Sequence, residues 1–214
     1  MLLLLEPGGR NGRWQEDGLY HQLALRGFAV CAMDVRGIGD MTPEASRGAF
    51  DYARGHANEE NYAWASLIFG KPLVGQRVTD ILAMAAGLRA HPDLGGAKVK
   101  VAALDKMTVP ALFAASLDPE ISEINLAGGL VSYRSVVETE RYSAAFANFV
   151  FDMLSHTDLP EVAASLAPRR LVLAGTVDGA ASTMPVAAVR TVYSGAHIAL
   201  KDEANWDLES LSAN

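Results

Sequence analysis

The chain has 214 residues, half of them apolar and 20% charged, with a net charge of −7 at neutral pH. That length fits one domain with an ample hydrophobic core. The 18 Lys and Arg residues are scattered, with only Arg169 and Arg170 adjacent, a distribution that argues against nucleic acid or an anionic membrane as partner.

Met1 to Gly9 carries no basic leader, and its apolar run is far below the roughly 20 residues of a membrane span. Nothing here assigns a compartment. Leu2–Leu5 reads as a strand buried on both faces of a parallel sheet. A core strand this close to the first residue suggests a shortened or domain-sized version of something longer. The turn residues Glu6-Pro7-Gly8-Gly9-Arg10 end it, and a helix is predicted over residues 14–26 with Gly27 closing it. A second buried strand is predicted over residues 28–33, running into Asp34-Val35-Arg36-Gly37-Ile38-Gly39-Asp40. Strand, helix and strand in this space make one right-handed βαβ unit. Cys31, inside that apolar run, can form no intrachain disulfide and reads as a buried structural thiol.

Residues 41–75 are irregular and read as an insertion or cap, with Tyr62, Trp64 and Phe69 among turn residues. An amphipathic helix is predicted over residues 76–91, a loop over 92–96, and a central strand at Val99–Leu104. Asp105-Lys106 then makes a sharp turn into an apolar helix with Pro110 in its first turn. A strand over 123–130 ending in Gly128-Gly129, a variable segment over 132–159, and a helix capped by Asp158 follow. The remainder reads as a strand over 171–175, the turn Thr176-Val177-Asp178-Gly179, a helix over 185–193, a last strand over 197–200, and a polar, partly disordered tail over 201–214. The expected architecture is α/β: a mostly parallel, doubly wound sheet of about six strands with helices on both faces, forming one domain over residues 1–200.

Several blocks carry a resemblance: Tyr62-Ala63-Trp64, Phe69-Gly70-Lys71-Pro72-Leu73-Val74-Gly75-Gln76-Arg77-Val78-Thr79-Asp80, Ala111-Leu112-Phe113-Ala114-Ala115-Ser116-Leu117-Asp118 and Pro168-Arg169-Arg170-Leu171. Together they resemble the acetyl xylan esterase-like and dienelactone hydrolase-like group of α/β-hydrolases. Asp34-Val35-Arg36-Gly37-Ile38-Gly39 resembles that superfamily's D-x-R-G-x-G turn. The resemblance implies a nucleophile on a strained strand-to-helix elbow at the centre of G-x-S-x-G. No such motif occurs, and Asp105 stands where the Ser would, with Ala103 and Met107 at the flanking Gly positions. Asp105 has three readings: a carboxylate nucleophile, a cap on the following helix, or a relic.

The resemblance further implies Asp178 as the triad acid, although an ordinary Asp-Gly turn reads equally well. It implies a His after the last strand, for which His197 is the candidate, although His197 stands at that strand's start. Gly8, Gly9 and Arg10 with the Lys106 backbone N–H are the implied oxyanion donors. No His spacing indicates a dedicated metal site, and no cofactor is expected. Scattered groups such as His56 with Glu59 and Glu60, or His156 with Asp152 and Asp158, leave open a site assembled in space.

Three functions follow as expectations: ester hydrolysis, with a small-molecule or carbohydrate ester as substrate; a non-catalytic binding or assembly domain; and metal-assisted hydrolysis at a rebuilt site. The strand near Phe28 and Met33 would form a sheet edge, and an exposed edge invites homo-oligomerisation.

Overall fold

The structure is a computed structural model and describes residues 1–42, 58–94 and 96–212. Its six strands are β1 (Leu2–Leu5), β2 (Val30–Ala32), β3 (Val99–Leu104), β4 (Ile121–Ala127), β5 (Arg170–Ala174) and β6 (Ile198–Lys201). They run in the order β2-β1-β3-β4-β5-β6, and each of these pairings is parallel. The all-Leu β1 is buried throughout because it needs apolar cover on both faces: Leu3 and Leu5 enter one core, Leu2 and Leu4 the other.

The helices are α1 (Leu19–Leu25), α2 (Asn58–Ile68), α3 (Leu73–Ala90), α4 (Thr108–Leu117), α5 (Tyr133–Val137), α6 (Leu159–Ala164), α7 (Val186–Val192) and α8 (Leu208–Ser212). The larger core takes Val74, Val78, Ile81 and Ala85 of α3, with apolar residues of α4, α6 and α7. The smaller core, on the other face, takes Tyr20 and Leu23 of α1, Leu211 of α8, and Trp206. The predicted doubly wound α/β sheet is therefore the observed one. None of the described helices is long and apolar enough to cross a membrane.

The departures have local causes. The first helix starts at Leu19, not at residue 14, because Asp17 takes a left-handed φ of 59° and Gly18 is the N-cap. The helix expected from residue 76 starts at Leu73, with Pro72 as its N-cap. Strand β4 stops at Ala127, where Gly128 turns to φ 68°.

The 201–214 tail is corrected over its described part. Lys201 ends β6 and ion-pairs Asp207 at 2.6 Å, while Trp206 and Leu211 are buried. The Lys201 ammonium, donating to Asp207, holds that carboxyl below its ordinary range. Within the predicted 41–75 cap, residues 43–57, including His56, lie outside the described residues. The rest supplies α2, whose Trp64 stacks on Phe146 with centroids 4.1 Å apart.

Strand β2 is an edge strand. Its Cys31 is half-buried rather than fully enclosed, because only β1 flanks it, and burial pushes its thiol up.

Candidate functional site

The expected elbow is present. Strand β3 ends at Leu104, Asp105 takes a left-handed φ of 50°, and a tight helical turn, Asp105–Met107, feeds directly into α4. Asp is among the few non-Gly residues that tolerate this backbone region. The turn is secured by Thr108, whose Oγ1 donates to the Asp105 carbonyl at 2.7 Å. Asp105 is exposed, and among the described residues its carboxylate accepts no hydrogen bond.

Crowding at the elbow is relieved in an unexpected way. Met107, an awkward fit for a small-residue position, is 1% exposed and packs into the larger core. The needed room comes from the end of β4. A Cβ on Gly129 would lie 2.5 Å from Thr108 Oγ1, and one on Gly128 would lie 3.8 Å from Asp105 N.

A pocket of about 60 Å³ opens over the elbow, bordered by Asp105, Lys106, Ser143, Asn148, Phe149 and Asp178. The fold thus brings Asp105 and Asp178 to one cavity. Asp178 Oδ1 accepts from the backbone N–H groups of Ala180 and Ser182, both at 2.9 Å. It is an Asx turn that orders its own loop.

His197 is corrected. Ile198 pairs with Leu171 and Lys201 with Ala174, so His197 precedes β6 at the N-terminal end of the sheet. Asp105 stands beyond the C-terminal ends. Four residues of strand, at about 3.3 Å each, place His197 roughly 13 Å below the level of the elbow. The ground after β6 belongs to residues 202–205, which contain no His. A Cβ on Gly128 would have Ala204 Cβ at 3.7 Å and Asp105 N at 3.8 Å, so this loop reaches the elbow.

The oxyanion loop is corrected as well. Gly9 N donates to Glu6 O at 3.1 Å, and Arg10 N donates to Asp34 Oδ1 at 2.7 Å. Asp40 N donates to the other Asp34 oxygen at 2.9 Å, and the Arg10 guanidinium pairs with Asp40 at 2.7 Å. Asp34 therefore folds the loop onto its own turn. Neither Gly8, Gly9 nor Arg10 borders the elbow pocket. Lys106 does, with its N–H in the first turn, where helix N–H groups lack intrahelical acceptors.

Three residues beside the elbow were not assigned to it from the sequence. Glu59 of α2 pairs with Lys106 Nζ and also accepts from Arg77 Nη2 at 2.6 Å. Arg77 is fully buried, and its Nε donates to the Arg36 carbonyl at 3.0 Å. Asn148, 5% exposed, donates from Nδ2 to the Lys106 carbonyl at 2.8 Å. Arg77 falls in the Gln76-Arg77 block quoted for the resemblance. Glu59, grouped above with His56 and Glu60, carries no local pattern that ties it to the elbow, and neither does Asn148. Among the described residues, no group of three or more His, Cys, Asp or Glu is placed to hold a metal.

Solved structures share this fold. An acetyl xylan esterase from Paenibacillus sp. R4 superposes with a TM-score of 0.62 at 18% identity, over 99% of this chain and 71% of its own. Acetyl xylan esterase 1 from Thermoanaerobacterium sp. gives 0.59 at 16% identity, over 99% and 72%. A candidate acetyl xylan esterase from Bacteroides fragilis gives 0.68 at 14% identity over 94% of this chain, which spans 58% of that protein. The chain has the α/β-hydrolase fold. No protein-family model and no curated protein matches it by sequence.

Proposed function

We propose that this hydrolase-fold chain acts on a small oxygen ester through Asp105 in place of a serine. The observation that carries the reading is the elbow: an exposed carboxylate on a left-handed turn between a buried strand and a helix N-terminus. Such backbone strain on a non-Gly residue concentrates at functional positions.

In the proposed reaction, Asp105 Oδ attacks the acyl carbon and the Lys106 N–H receives the developing oxyanion. The alkoxide leaves with a proton from water. A second water then cleaves the acyl-aspartyl anhydride, releasing the acid and restoring Asp105. The likeness to acetyl xylan esterases favours carbohydrate acetates within this class.

A second reading, a non-catalytic binding domain, is favoured by three observations. His197 lies at the far end of the sheet, Asp178 Oδ1 is committed to its own turn, and the Gly9 and Arg10 N–H groups are bonded elsewhere.

Hydrolysis of p-nitrophenyl acetate by wild type, Asp105→Asn and Asp178→Asn, each with and without chelator, separates these readings. Asp105→Asn is expected to lose about 100-fold or more of the rate, in the range that acid–base and nucleophilic groups contribute, with no effect of chelator. No wild-type turnover above a heat-killed control would leave the binding reading, and loss only with chelator would move the chemistry to a metal.

Self-association through the β2 edge belongs to the same proposal, since the pairing groups on its outer side face no other strand of the sheet. A strictly monomeric mass by light scattering across micromolar dilution would remove it.

A further inference from the structure

A second cavity, much larger than the elbow pocket, opens beside it. The groove holds about 750 Å³ and shares Phe149 with the elbow pocket. Its apolar wall is aromatic. Tyr142 meets Phe149 with ring centroids 5.8 Å apart at 62°, and Tyr133 meets it at 6.5 Å and 59°. These rings are held in place. Tyr133 Oη donates to the Asn148 carbonyl at 2.5 Å, and Phe146 braces Phe149 edge-on at 5.6 Å.

The charged lining has one sign. Glu140 and Asp152 border the groove, and no Lys, Arg or His is among its described lining residues. Asp152 is partly engaged: Oδ1 accepts from Ser155 Oγ at 2.5 Å, and Oδ2 lies 3.7 Å from His156 Nε2. Glu140 makes no ion pair among the described residues, so it is the carboxylate open to a ligand.

Aromatic rings carry a negative face that attracts cations. Ligand sites of this size are apolar with a few placed polar groups. An anion would meet two carboxylates here, and a neutral apolar molecule would leave them unused. We propose that this groove binds an organic cation with an apolar body, of the quaternary or aryl ammonium class. The site is independent of whether Asp105 hydrolyses esters.

The test titrates the full chain calorimetrically with para-hydroxyphenyltrimethylammonium and with its neutral isostere para-tert-butylphenol. The cation is expected to bind one site about tenfold tighter than the isostere, through its contacts with the aromatic wall and the Glu140 carboxylate. Glu140→Gln, an exposed substitution, should cut that preference about threefold, and Tyr142→Ala should cut it further. Equal binding of the two probes, no saturable heat with the cation up to about 10 mM (weaker than any affinity ordinarily assigned to a site), or a preference unchanged in both variants would each overturn the proposal.

Discussion

Asp158→Ala is expected to lower folding stability by about 3 kcal/mol, reckoned at about 1 kcal/mol for each buried N–H left without its acceptor. The Asp158 carboxylate is buried and accepts from Tyr133 N at 2.7 Å, Arg134 N at 3.0 Å and Leu159 N at 2.7 Å. Its own N–H donates to Glu161 Oε2 at 3.1 Å, completing a capping box on α6. One side chain therefore caps α6 and anchors the start of α5, which also walls the aromatic groove.

In a chain of this length that loss corresponds to a fall in Tm of about 6–12 °C. Asp158→Asn, which keeps one acceptor oxygen, should fall between Ala and wild type. Urea unfolding measures both, and a cost for Ala below about 1 kcal/mol would mean that water re-satisfies the three N–H groups. Burial and then the Asp158 charge raise the hydroxyls of Tyr133 and Tyr193 well above the ordinary tyrosine range, so both rings stay neutral.

Gly175→Ala carries the second large effect and acts at the elbow. Gly175 has φ 52°, and a Cβ there would fall 2.2 Å from Ala204 N and 2.4 Å from Ala204 Cα. Those are backbone atoms, so the 202–205 loop must move or the β5 end must shift. Trp206 and Leu211, which follow that loop into the smaller core, would be dragged with it. Strain at a special backbone position combined with overpacking predicts a loss of about 2–4 kcal/mol.

Gly27→Ala supplies the control. It has φ 85° with nothing within 4 Å of the added Cβ, so only the conformational cost of about 1 kcal/mol applies. Denaturant midpoints for the two variants, with proteolysis mapped to residues 202–207, test the difference. Equal stability of the two variants would mean that the loop yields freely and does not latch the elbow.

The strands were legible because each is a short apolar run closed by turn residues, and burial on both faces of a parallel sheet demands such runs. Strand Val99–Leu104, the turn at Asp105 and the apolar helix after it are contiguous, so the elbow could be placed from neighbouring residues alone. Errors concentrated where local signals compete. Residues 14–18 read as helix until Asp17 turned left-handed. The described part of the tail read as disordered because its few apolar residues, Trp206, Leu208 and Leu211, gain their cover from α1 and the sheet.

The sequence by itself determined the alternation of strand and helix, the parallel character of the sheet and the location of the elbow, since all three follow from contiguous apolar patterning. Only the tertiary structure decided what surrounds Asp105. Glu59 reaches Lys106 across 47 positions and Asn148 across 42, and no local periodicity encodes such pairings. The structure also separates His197 from the elbow, because the strand that it precedes ends, rather than starts, on the side of Asp105. β6 runs parallel to β5, with Ile198 opposite Leu171 and Lys201 opposite Ala174, so its start lies at the far end of the sheet from Asp105, and that pairing joins segments separated in the chain.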